Sequence, residues 1–397
     1  MIKEIVRCFK TKELLLLILL MVILVRVHSL GMVTLLAAWC LFFILAVPFQ
    51  YYKGRLLPGI LIFTFLYGSF GLLSGFMTLS KLIGLCLPLS IFYILGKFIV
   101  IRVRKPVHLI LLVAILLICY QLDVFCSFLY SLLTEGYTLS NTRIFYLGAD
   151  ENRALTATLV GLNVSVSMVG LSSSVILKGY NKLRLLYFLL FLMAILTTTY
   201  LLNRTGLVIC LICTIVVLCY YYQNNRKMLI GIFAFMALIL VLALNLGWIG
   251  SDILMAYGER NVDIQTAGMR TVKWSEALSE LFRHPLGWAE GGSETVYYAH
   301  NMWLDIAKVT GVMPFLALLL VSVQAMIAQL RLLKIKSDSF IAVTTGLNIC
   351  FFLSCFVEPV YGGVHLFLWM MLWGMQEQYY NQNYRNKVTC RTPVTLR

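Results

Sequence analysis

Apolar and polar positions along this chain come in long blocks, with none of the short periods of a soluble domain. Apolar runs of 13 to 27 residues are separated by connectors that are mostly short and carry charge, glycine or proline. A helix needs roughly 20 apolar residues to cross the hydrocarbon core of a bilayer. The blocks predict helices over 13–29, 31–49, 56–76, 79–99, 107–126, 154–177, 185–202, 205–222, 228–247, 304–330, 340–357 and 364–376. The expected fold is an all-α polytopic membrane protein of about 12 transmembrane helices, forming a single integral membrane domain over residues 1–397.

Two connectors are too long to be simple links. The first, 127–153, carries Glu135, Arg143, Asp150, Glu151 and Arg153. The second, 248–303, lies between spans 9 and 10, and loops of that length usually serve function. Within it Trp274, Ala277, Leu278, Leu281 and Phe282 recur at i, i+3, i+4, i+7 and i+8, the stripe of an amphipathic helix. Lys273, Glu276, Ser279, Glu280 and Arg283 fall on its other face, Arg270 opens it, and Pro285 and Gly287 end it. Such a helix is expected to lie along the membrane surface.

Composition supports the membrane assignment. The chain is 61% apolar and 12% charged, against about 45–50% and about 25% for soluble domains. Its mean hydropathy is +0.89. The net charge of +15 would suggest nucleic acid in a soluble protein, but its distribution gives it another meaning. With the N-terminus in the cytoplasm, the inside segments, including a cytoplasmic tail over 377–397, collect 22 of the 32 Lys and Arg residues. Only Glu4, Glu13, Asp338 and Glu377 accompany them, leaving +18 inside and −3 outside. That is the positive-inside pattern with both termini cytoplasmic; membrane lipid is the implied partner and nucleic acid is not.

The eleven cysteines add no chemistry, because most lie inside apolar runs and the Cys210–Cys213 pair has no His or acidic neighbour. A P-loop, an HExxH motif and an acidic pair spaced for metal are also missing, so no metal or cofactor is expected.

The polar residues of the exterior side are then the informative set. Arg204 sits between two spans joined by almost no loop, where a guanidinium is held at the membrane edge. Arg270 and His300 come from the large loop. Asn301, Asp305 and Lys308 share one face of the helix that follows, at i, i+4 and i+7. These residues form four ordered motifs: Arg204-Thr205-Gly206, Arg270-x-x-x-Trp274, His284-Pro285-Leu286-Gly287-Trp288, and His300-Asn301-x-x-Leu304 followed by Gly311.

Their order and placement resemble the O-antigen polymerase and O-antigen ligase superfamily, over about 200–315. The resemblance implies transfer of an oligosaccharide from an undecaprenyl-diphosphate carrier to a sugar hydroxyl, on the outer face of the bacterial cytoplasmic (inner) membrane. It implies a metal-independent, inverting glycosyl transfer, with Arg204 and Arg270 as diphosphate-binding residues and His300 as the loop histidine. Lipid-linked donor and acceptor glycans are the implied partners, with a chain-length regulator and a flippase beside them. The sequence departs from the family at Asn203, where a serine is common.

The residue types suit that reaction in their own right. Breaking an anomeric C–O bond to a diphosphate develops negative charge, which guanidinium groups meet bidentately. The attacking hydroxyl must lose a proton, and a neutral imidazole suits that near pH 7. His300 is the candidate base, with Asp305, Glu290 or Glu294 as candidate orienting partners; positioning the acceptor or binding phosphate is its alternative role. Asn301, Trp274, Arg143 and Arg153 are candidate supporting residues. Glycan specificity is expected from loop 127–153 and from Trp288, Tyr297, Tyr298 and Trp303. A repeat-unit polymerase for O-antigen or capsule is the leading expectation. A ligase that moves finished glycan to lipid A core is the alternative within the superfamily, and a lipid-linked-glycan transporter the alternative of another class.

Overall fold

The computed structural model describes residues 2–11, 13–15, 17–18, 54–75, 78–134, 143–146, 149–152, 181–200, 204–221, 264–288, 299–335, 338–357 and 364–385, with isolated residues between 227 and 238. The expected helices over 31–49 and 154–177 lie outside these residues, as do most of 13–29 and 228–247.

The structure is mostly helical. In chain order its helices are α1 (Ile2–Arg7), α2 (Leu57–Leu73), α3 (Leu79–Arg102), α4 (Pro106–Thr134), α5 (Asn181–Tyr200), α6 (Arg204–Tyr221), α7 (Ile264–Arg283), α8 (Met302–Thr310), α9 (Val312–Leu332), α10 (Ser339–Val357) and α11 (Val364–Tyr380). A π-helical turn, Asn381–Arg385, continues α11. Two of them, α9 and the Ser339–Phe356 stretch of α10, are long and apolar enough to cross a membrane.

Three elements differ from expectation. The first long connector holds a hairpin, β1 (Arg143–Tyr146) antiparallel to β2 (Ala149–Asn152), with Arg143 opposite Asn152 and Ile144 opposite Glu151. Ile144, Phe145 and Tyr146 are β-formers, and a two-residue link suits a tight hairpin. Next, α4 runs to Thr134, eight residues past the expected end at 126. Finally, the single helix expected over 304–330 divides at Gly311 into α8 and α9.

The chain forms two compact units. One comprises Met1–Val113, Glu276–Ile335 and Pro359–Arg397; the other comprises Ala114–Ser275 and Lys336–Glu358. In the second unit α6 packs against α5 and α10. In the first, α3 and α11 form the closest helix pair. Their backbones touch through two glycines: a Cβ on Gly96 would collide with the Met371 carbonyl, and one on Gly374 with the Tyr93 carbonyl. Small residues permit that approach, and dispersion contacts such as Phe92–Phe367, with centroids 5.4 Å apart, exploit it. At the end of the first unit near the N-terminus, Glu13 pairs with Arg102 of α3 and accepts the Lys10 backbone N–H at 2.8 Å. Phe9 packs on Phe98, centroids 6.5 Å apart.

Replacing Gly96 or Gly374 by Ala is expected to destabilise the first unit by about 1–3 kcal/mol, the usual cost of overpacking. Thermal unfolding in detergent reads this as a lowered midpoint for each variant. An unchanged midpoint would mean that the α3–α11 contact is not tight.

Candidate active site

Arg204, Arg270 and Trp274 belong to the second unit, and His300, Asn301 and Asp305 to the first, so the candidate residues are described in two groups. Arg204 is the first residue of α6. Arg143 begins β1, while Arg153 and Asn203 lie outside the described residues, as do Glu290, Glu294, Tyr297 and Tyr298.

Arg270 does not open its helix. α7 begins at Ile264, because Gln265, Ala267 and Met269 favour helix and no proline interrupts them. The seated face of α7 is also rotated from the expected stripe. Ala277 and Leu281 are buried, and Arg270, Lys273 and Trp274 are half-buried on the turns before them. Leu278 and Phe282, expected on the buried stripe, are exposed, Phe282 at 83%. Arg270 and Lys273 thus lie on the inward side of the helix. Glu280 braces its C-terminal end through an ion pair to Arg283 at 3.2 Å, with the His284 Nε2 3.4 Å from its other oxygen.

The chain then reverses over the His284–Trp288 motif. Pro285 and Gly287 end the helix, and the segment lies across the α8–α9 junction. The Val312 N–H donates to the Pro285 carbonyl, and the Trp288 N–H to the Lys308 carbonyl, both at 2.9 Å. Gly311 has φ +81°, and a Cβ there would strike the Pro285 carbonyl; Gly287 has φ +106°, and a Cβ there would crowd the Val309 and Lys308 carbonyls at 2.9 and 3.1 Å. Two of the sequence motifs are therefore one physical object, with each glycine admitting the other strand's backbone.

At the other end of α8 stands His300. It is the only non-glycine residue with positive φ among the described residues, at +52°. An L-residue resists that conformation at a cost of about 1–3 kcal/mol, so its surroundings must impose it. Asp305 supplies the constraint, since its Oδ1 accepts the Ala299 N–H at 2.8 Å and its Oδ2 accepts the Asn301 N–H at 3.2 Å. One carboxylate thus holds the backbone on both sides of His300. Asn301 is the N-cap of α8: its Oδ1 accepts from Trp303 at 3.2 Å and Leu304 at 3.3 Å. Asn301 is buried and works as a cap, while His300 is half-buried.

Burial raises the Asp305 carboxyl to about 6, opposed by the two backbone hydrogen bonds and by the Lys308 charge. Lys308 is lowered by burial, with Asp305 acting against that shift. Because the folded value of Asp305 exceeds the ~3.9 of an unfolded chain, the folded state binds its proton more tightly. Its ionisation therefore costs stability as pH rises from about 4 to about 6, and no further above that. In return, the charged form keeps both oxygens as acceptors for the His300 turn.

Trp288 and Trp303, expected to help select the glycan, are both buried. Trp303 donates its indole N–H to Ser322 of α9 at 3.2 Å, tying the short helix to the long one. They are framework, because their rings are covered by protein. Sequence reading missed the crossing at Gly311, although Gly311 and Pro314 together marked a helix break.

No protein-family profile matches the chain, and no curated protein sequence does either. Metal-ligating groups of three or more His, Cys, Asp or Glu side chains are absent among the described residues.

His300→Gly is expected to leave the thermal midpoint equal to wild type or higher, since glycine relieves the left-handed strain. A midpoint several degrees lower would show that the imidazole stabilises the fold. Asp305→Asn is expected to speed hydrogen exchange at the Ala299 and Asn301 amides, relative to their intrinsic rates. Wild type should show the same loss of protection as pH falls through about 6. Protection that is independent of both pH and the substitution would contradict the clamp.

Proposed function

We propose that this chain is a multi-pass protein of the bacterial cytoplasmic membrane, with about 12 spans and both termini cytoplasmic. It polymerises undecaprenyl-diphosphate-linked oligosaccharide repeat units into O-antigen or capsular polysaccharide on the outer face of that membrane. The carrying observation is the strained, clamped His300 beside a capped helix start, in a sequence whose other motif arginines are Arg204 and Arg270. Strain maintained at one residue by a half-buried carboxylate is the kind of feature that clusters at functional sites.

In this mechanism an acceptor sugar hydroxyl attacks the anomeric carbon of the donor from the face opposite the diphosphate. The new C–O bond forms as the bond to the diphosphate breaks, so configuration inverts. The bonding pair leaves with undecaprenyl diphosphate, and the hydroxyl proton passes to His300. Arg204 and Arg270 stabilise the charge that grows on the diphosphate. Asp305 touches no substrate; it positions His300 through the backbone.

His300→Ala and Arg270→Ala are expected to leave expression and membrane insertion intact while abolishing long glycan chains. The drop should be at least about a hundredfold, as for loss of general-base or charge-stabilising groups. Gel analysis of surface glycan from cells carrying each variant reads this directly. Single-repeat glycan accumulating in a deletion strain supports a polymerase. Free long polymer left on its carrier would identify a ligase, and normal chain length in both variants would refute the assignment.

A further inference from the structure

The two ends of α9 face different environments. Its N-terminus receives the Pro285–Trp288 crossing, and its C-terminal third opens onto a cavity of about 350 Å³ shared with the start of α2 and the end of α11. That volume lies within the range of about 300–1,000 Å³ common for small-molecule sites. At about 1.5 Å per residue, the cavity's Gln324 and Leu332 lie about 18–30 Å along the helix from Val312. The cavity is therefore separate from the His300 turn.

Its charged lining consists of Arg55, Arg331 and Glu377. Glu377 is already engaged: it accepts the Arg55 backbone N–H at 2.8 Å and the Tyr93 hydroxyl, and Lys97 lies within electrostatic reach. Neither guanidinium has a hydrogen-bond or ion-pair partner among the described residues, and both arginines are exposed. Gln324 and Asn381 add amide groups to the same wall. Two open guanidinium groups with neighbouring amides match the oxygens of a phosphodiester.

A second feature identifies the rest of the ligand. Met313, Leu316, Leu320, Val323, Ile327 and Leu330 are exposed at spacings of three and four, forming one apolar strip along α9. Ile327 belongs both to this strip and to the cavity wall, and Trp373 and Tyr380 line the same cavity. Tyr380, which is half-buried, suits the headgroup level of a bilayer, whereas the Trp373 ring is covered by protein. The combination of an anion site and an adjoining apolar strip suits an amphiphile.

We infer that this cavity binds the headgroup of an anionic phospholipid, with its phosphodiester between Arg55 and Arg331 and an acyl chain along the α9 strip. In the orientation proposed above, the site faces the cytoplasmic leaflet, opposite the glycan chemistry. A soluble phosphate shares the headgroup chemistry but makes no use of the strip.

The test measures thermal midpoints of the purified full-length protein in neutral detergent, so it needs no glycan activity. Dioleoyl phosphatidylglycerol, dioleoyl phosphatidylcholine and inorganic phosphate are titrated separately. Phosphatidylglycerol is expected to raise the midpoint, and the other two to have no effect. An Arg55→Gln/Arg331→Gln variant should need at least ten times more phosphatidylglycerol for the same shift. Ala328→Trp, which fills the cavity and keeps both charges, should show the same loss and serves if the double variant does not fold. An equal response to phosphatidylcholine, a response to inorganic phosphate alone, or an unchanged dose response in a folded variant overturns the inference.

Discussion

The crossing of the Pro285–Trp288 segment over the α8–α9 junction fixes where His300 can be. Two backbone hydrogen bonds close that crossing, Val312 to Pro285 and Trp288 to Lys308. Both require backbones to approach more closely than any side chain permits, which is why Gly287 and Gly311 stand there with positive φ. Once the junction is closed, α8 is anchored at its C-terminal end, and the Trp303–Ser322 hydrogen bond anchors its first turn to α9. The short helix then presents a fixed N-terminus. Asn301 caps it, and Asp305 reaches back over the cap to hold the turn that carries His300.

That arrangement carries a conformational cost at one residue and an electrostatic cost at another. His300 occupies a left-handed conformation that glycine would adopt without strain, and Asp305 is half-buried where its charge is costly. Both costs are tolerated because the surrounding contacts are many and local. Strain and a costly charge at one turn are what motivates placing the proposed chemistry there.

Much of this architecture is legible in the sequence. Hydrophobic blocks beginning at 56, 107 and 185 place the starts of α2, α4 and α5 to within a few residues, because those starts depend on local chemistry. Asn301, expected on one helix face with Asp305 and Lys308, is instead the cap that precedes the helix. What escapes the one-dimensional pattern is non-local. Nothing in the stripe of α7 reveals that Arg270 and Lys273 turn inward while Leu278 and Phe282 turn out, since rotation about the helix axis is set by the neighbours. The burial of Trp288 and Trp303 was likewise invisible, and so was the Asp305 clamp, which joins a side chain to amides six and four residues upstream. The hairpin at Arg143–Asn152 was hidden because its first strand is only four residues long and its second, Ala149–Asn152, is mostly polar, so neither shows a hydrophobic alternation.

The two ends of α9 thus make different demands on the same helix. One end supports a strained turn proposed for glycosyl transfer, and the other opens onto an arginine-lined cavity with an apolar strip leading away. The central claim is that the chain itself joins lipid-linked repeat units with amino-acid side chains as its only catalytic groups. Its most direct test is an elongation assay with purified protein, synthetic undecaprenyl-diphosphate-linked repeat units and excess chelator. The account predicts a ladder of lengthened glycan that is insensitive to the chelator. Substrate recovered unextended from well-folded protein, with or without divalent metal, would contradict it.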